Sequence, residues 1–108
     1  MEINEIYALL KKTGFPVAYD HFNHRVSPPY IAYCASNTTY RGADGKNNVT
    51  ETGYRIELYT EKKDADAEKK LEQILPFDDI EKQEIYIEDD GLFEIIYEFE
   101  TIEKTKEE

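Results

Sequence analysis

A chain of 108 residues, 40% hydrophobic and 34% charged, holds one domain with its own core and needs neither disulfide nor structural metal. Its apolar runs are only a few residues long, which excludes a membrane-spanning helix, and its N-terminus lacks the basic start and apolar middle of a signal peptide. Residues 1–60 carry six basic and six acidic side chains, so the whole net charge of −11 lies in the last 48 residues, an acidic field that argues against a general nucleic-acid binder.

In chain order, Ile3, Ile6, Tyr7 and Leu10 recur at i, i+3, i+4 and i+7, which predicts an amphipathic helix over 2–13, its stripe widened by Ala8 and Leu9. Lys11 and Lys12 favour the negative end of the helix dipole, Gly14 supplies a left-handed stop and Pro16 forbids continuation. Val17-Ala18-Tyr19 reads as an edge strand or as a segment lying across the core. His21 and His24 have an H-x-x-H spacing, but no third histidine or nearby cysteine completes a zinc site, so both are read as surface-loop residues. Tyr30-Ile31-Ala32-Tyr33-Cys34-Ala35 is a strand with two fairly apolar faces, suited to the sheet interior. The lone Cys34 has apolar neighbours and is expected to be small and buried, in a reducing compartment.

Residues 36–48 are polar and lack periodicity, which predicts a binding loop or a projecting hairpin. Residues 49–60 form the next strand, with Tyr54, Ile56 and Leu58 on one side and Arg55, Glu57 and Tyr59 on the other. Asp64 is a good N-cap for a second helix whose inward stripe is Ala67, Leu71, Ile74 and Leu75, ended by Pro76. Residues 85–99 read as a β-hairpin. Placing Ile85, Ile87, Phe93, Ile95, Tyr97 and Phe99 on one face selects a three-residue loop, Asp89-Asp90-Gly91, with Gly91 left-handed and Ile87 opposite Phe93. After Phe99 the chain is expected to fray, leaving a domain over 1–102 and a disordered charged tail over 103–108. The fold class is α+β: two helices on one face of a largely antiparallel sheet, in the order α-β-β-α-β-β. Ile6, Leu10, Ile56, Leu58, Leu71, Ile95 and Tyr97 are the expected core.

No catalytic signature stands out. Neither Ser27 nor Ser36 lies in a nucleophile-elbow context, the five glycines form no phosphate loop, and the carboxylates read as a solvated face rather than desolvated acids. The chain is therefore read as a non-enzyme without catalytic residues, metal or cofactor. Of the nine tyrosines, Tyr7, Tyr54 and Tyr97 suit the core, whereas Tyr33, Tyr40, Tyr59 and Tyr86 suit partial exposure.

Ile3-Asn4-Glu5-Ile6-Tyr7-Ala8-Leu9-Leu10, Gly14-Phe15-Pro16-Val17-Ala18-Tyr19 and Pro28-Pro29-Tyr30-Ile31-Ala32-Tyr33, followed by Tyr54-Arg55-Ile56-Glu57-Leu58-Tyr59-Thr60 and residues 92–100, resemble small tail proteins of Firmicutes phages and prophages. The element order is similar to that of the tail terminator, or tail-completion, family of long-tailed phages. These are packing motifs and mark no active site. The resemblance implies a structural virion protein of the head–tail module, assembled in the host bacterial cytoplasm as a ring, typically hexameric, on the end of the tail tube. Its partners would be other copies of itself, the tail-tube protein and the head connector, with no stable nucleic-acid binding and no membrane. The assembly contacts are expected in 36–48, at Tyr40, Arg41, Asp44 and Lys46, because aromatic and arginine side chains dominate interface energetics. An acidic DNA-mimicking inhibitor is the reading from another class, and another neck protein is the nearer alternative.

Overall fold

A computed structural model of the chain describes residues 2–42, 49–76 and 79–104. The order is α1 (Ile3–Lys11), β1 (Val17–Tyr19), β2 (Tyr30–Arg41), β3 (Val49–Thr60), α2 (Ala65–Glu72), β4 (Glu81–Ile87) and β5 (Leu92–Lys104). This is the expected α+β class with one strand more than the expected order. Val17-Ala18-Tyr19 is a true edge strand, parallel to β2, and the sheet runs β1-β2-β3-β5-β4 with every other pairing antiparallel.

Both helices cover one face of the sheet. Ile6 and Leu10 of α1 and Ala67 and Leu71 of α2 pack with Ile31, Tyr33, Tyr54, Ile56, Leu58, Ile95, Tyr97 and Phe99. All seven expected core residues are buried. α1 opens with a capping box in which Glu5 reaches back to the Glu2 amide. It closes at Gly14, whose φ of 83° is costly for other residues, and on the Thr13 hydroxyl, which donates to the Leu10 carbonyl and accepts from the Phe15 amide. Asp64 caps α2 by accepting from the Ala67 amide at 3.0 Å. Tyr7 departs from the expected core: it lies on the flank of α1, 41% exposed.

The hairpin corrects the expected register. Ile87 pairs with Leu92, Tyr86 with Phe93, Ile85 with Glu94 and Lys82 with Tyr97, around a four-residue loop of Glu88-Asp89-Asp90-Gly91. Gly91 is left-handed, as read, with φ 64°. The slip of one residue sends Ile85 and Ile87 to the open face and turns Lys82, Glu84 and Tyr86 toward the helices. Charge explains why the oily residues of β4 lose. Lys82 lies 2.8 Å from Glu68 and 2.7 Å from Glu72, while Lys63 bridges Glu68 and Glu84. The Tyr97 hydroxyl donates to Glu72 at 2.7 Å. Burial disfavours ionisation of Glu68, but the two lysines outweigh it and hold the carboxyl below its ordinary value. In the expected register Lys82 and Glu84 would leave the helix-facing side, and Glu68, 4% exposed, would keep only Lys63.

β3 has its expected extent, 49–60, whereas β2 and β5 are longer than expected. β2 and β3 stay paired out to Arg41 and Val49, and β5 continues through Lys104 rather than fraying after Phe99. Residues 36–41 of the polar stretch thus belong to β2 and pair with β3, while residues 43–48 lie outside the described residues, as do 105–108. The result is an elongated molecule of 51 × 26 × 25 Å. Leu71 is fully buried beneath α2; Leu71→Ala should lower stability by about 2–5 kcal/mol in denaturant melts. An unchanged melt would show that α2 contributes no packing to the sheet.

Candidate assembly surface

Alternation along the paired strands gives the sheet two chemically different faces. On the helix side, beyond the end of α1, Tyr19, Tyr33, Tyr40 and Tyr54 come together with Thr38 and Thr52 around a concavity whose lining, among the described residues, includes no charged side chain. Tyr19 meets Tyr33 edge-on, with ring centroids 5.3 Å apart, and Tyr7 flanks Tyr33 at 6.3 Å. Burial, then the neighbouring Tyr7 and Tyr19, raises the Tyr33 hydroxyl above its ordinary value. A tyrosine-rich hollow without charge among its described lining residues, in a chain of net charge −11, has the composition of an interface core.

Tyr40, one of the four expected site residues, stands on this hollow and is 63% exposed. Arg41 points to the other face, where its Nε lies 2.8 Å from Glu51. The structure therefore separates these two residues instead of presenting them as one anchor. Asp44 and Lys46 lie outside the described residues. Tyr19, Tyr33 and Tyr54 were missed as site residues because they are remote in sequence. Their common parity relative to Ile31, Ile56 and Ile95 was the available signal, but it needed the β2–β3 register.

The open face carries an acid pair that sequence reasoning took for solvated charge. Glu94 is 8% exposed, and Glu57 and Glu94 share one guanidinium: Arg55 Nη2 lies 3.2 Å from Glu57 and 3.8 Å from Glu94. The Tyr59 hydroxyl donates to Glu94 at 3.1 Å, and burial followed by the two carboxylates pushes that hydroxyl well above its ordinary value. Burial, then the hydrogen bond and charge of Glu94, pushes Glu57 up to about 7, against the opposing pull of Arg55. Cys34, on the same face, is half-buried rather than buried, and its thiol is raised first by desolvation and then by Glu57 and Asp20.

The two histidines line one hollow but engage different neighbours. His21 Nδ1 is 2.9 Å from its neighbour Asp20, while the His24 ring stands edge-on to Phe22. Among the described residues no group of three or more His, Cys, Asp or Glu side chains is arranged to hold a metal. No helix among the described residues is long and apolar enough to cross a membrane. The sequence matches no model of a known protein family and no curated protein.

Glu57 makes the fold pH-sensitive in a definite direction. Its folded value lies above the ordinary 4.5, so the native state keeps a proton that the unfolded chain gives up. The resulting stability is fully present below pH 4.5 and is lost as pH rises through about 7. Glu57→Gln should flatten that decline and stabilise the protein by about 1–2 kcal/mol at alkaline pH, once solvent screening of a partly exposed group is allowed for. Urea melts across this pH range check it, and a variant that loses stability as steeply as the parent would contradict the buried acid pair.

Proposed function

We propose that this chain is a structural subunit of the head–tail module of a long-tailed phage, a tail terminator that caps the tail tube and joins it to the head connector. The observation that carries the reading is the projecting ribbon of β2, β3 and β5 with its tyrosine-rich hollow, uncharged among the described residues. An open, tyrosine-rich surface of this kind would suit docking against protein better than binding a small charged substrate. The likeness of the packing motifs to small phage tail proteins supports the same reading, and so does the α+β class. The partners would be further copies of the chain in a ring, the tail-tube protein and the connector, and the location the neck of the virion. No stable nucleic-acid binding is expected of a chain this acidic; an acidic lining would also let DNA pass without adhering. The acid pair does not alter the reading, because Arg55 and Tyr59 occupy its carboxylates.

The test is genetic. Replacing residues 39–50 by a tight turn removes the outer ribbon and spares the core residues beneath the helices. A phage lacking the native gene and supplied with this variant should give overlong or headless tails although the variant folds. Normal tails and infectious particles would reject the ribbon as the assembly element.

A further inference from the structure

We infer that the hollow between the β1–β2 loop and the open face of the sheet binds a small phosphorylated aromatic molecule, with its ring toward Tyr30 and Tyr59 and its phosphate at Arg25 and His24. The hollow encloses about 320 Å³, the small end of ordinary ligand pockets. Its floor is Ala32, only 4% exposed, and its sheet wall is Tyr30 and Tyr59. It lies on the face opposite the tyrosine hollow beside α1, so the inference goes beyond the tail-capping reading and does not depend on it.

The loop is fixed in this shape by its own contacts. Asp20 turns the chain off the end of β1 with a φ of 65°, a left-handed conformation that aspartate tolerates better than most residues. The Asp20 amide donates to the Tyr33 carbonyl and the His21 amide to the Tyr19 carbonyl, each at 2.7 Å, which holds the turn. Phe22 then packs edge-on against Tyr30, with ring centroids 5.4 Å apart, and Tyr30 stacks on Tyr59 at 4.9 Å. His24 meets Phe22 at 6.1 Å. Four rings therefore run in series from loop to sheet, and a planar guest gains ring contacts without first ordering the wall.

Charge orients that guest. Of the chain's three arginines, Arg41 and Arg55 each meet a carboxylate, whereas Arg25 has no ion pair or hydrogen bond among the described residues. His24 likewise has no hydrogen bond there, and Asp20, the only carboxylate among the described lining residues, is engaged at 2.9 Å by Nδ1 of His21. At the sheet end the sign reverses, because the Tyr59 hydroxyl donates to Glu94, which shares Arg55 with Glu57. A guest with its negative group at the loop and its ring toward the tyrosines suits both ends; turned round, it would set an anion against Glu94. The guanidinium offers a two-pronged fork and the imidazole a further N–H, which match the three terminal oxygens of a phosphate where a carboxylate has two.

The test is an NMR titration of the full-length protein with phenyl phosphate, to about 10 mM at constant ionic strength. A ligand this small should bind at about 0.1–1 mM and shift the ring resonances of Phe22, His24 and Tyr30 in one saturable step. Inorganic phosphate, which lacks the ring, and phenol, which lacks the charge, should each bind at least about tenfold more weakly, and benzoate should also bind more weakly. Arg25→Gln should weaken phenyl phosphate about tenfold, whereas Lys62→Gln, which removes the same charge outside the hollow, should leave it unchanged. Phe22→Leu, which keeps an apolar anchor in the loop, should reduce the preference for phenyl phosphate over inorganic phosphate. Absence of a saturable shift, shifts centred outside the hollow, or full affinity in Arg25→Gln would overturn the site. Equal affinity for inorganic phosphate or phenol would overturn the aromatic phosphate as its ligand, and equal affinity for benzoate would overturn the choice of phosphate.

Discussion

The structure depends on a mismatch of lengths. β2 and β3 have twelve residues and β5 thirteen, a span of about 40 Å at strand rise. The helices have nine and eight residues, only about 13 Å each. Two short helices cannot cover three long strands, so the core gathers at one end and the ribbon runs on without a helix above it. The elongated shape and the tyrosine hollow both follow from that disparity. What keeps the uncovered part a sheet is the unbroken ladder of β3 with both neighbours, down to the rung of Arg41, Val49 and Lys104.

The covered end is organised by charge as much as by oil. α2 turns Leu71 into the core and sets Glu68 at its margin, where Lys63 and Lys82 meet it. Because Lys82 belongs to β4, this network ties the edge strand to the helix and fixes which residues of β4 look inward. On the opposite face the chain accepts a less favourable arrangement, two carboxyls sharing one arginine, and Glu57 responds by holding its proton to about pH 7. The same sheet thus carries charges that stabilise it on one face and a charge that costs it stability at alkaline pH on the other.

Much of this was legible in the residues. The helical stripes of Ile6, Leu10 and Leu71, the cap at Asp64, the stop at Gly14 and the left-handed Gly91 are local signals and hold in the fold. The hairpin register was misread because the pattern of Ile85, Ile87, Phe93 and Ile95 was matched on apolarity alone. The partners of Lys82 are Glu68 and Glu72, ten or more residues away on a helix, and no local pattern reveals them. The continuation of β2 through Ser36-Asn37-Thr38-Thr39-Tyr40-Arg41 was hidden for a related reason. These side chains have no core to face, so they lack apolar alternation and read as loop. The hollow was invisible until β2 and β3 were aligned, and the desolvation of Glu57 and Glu94 needed the same alignment of β3 with β5.

The central claim is that the uncovered ribbon is an ordered surface completed by another protein chain. Amide hydrogen exchange compares the dilute free protein with the protein mixed with the tail tubes that it is proposed to cap. Ile31 donates to Pro16 and Tyr33 accepts from Asp20, so alternation along β2, reset by the extra residue between Ala35 and Asn37, points the amides of Thr38 and Tyr40 away from β3. The account predicts that these two amides, beside the hollow, exchange rapidly in the free chain and become protected on mixing. Their neighbour Thr39, bonded within the sheet, should be protected in both states. Equal exchange of Thr38 and Tyr40 before and after mixing would contradict it.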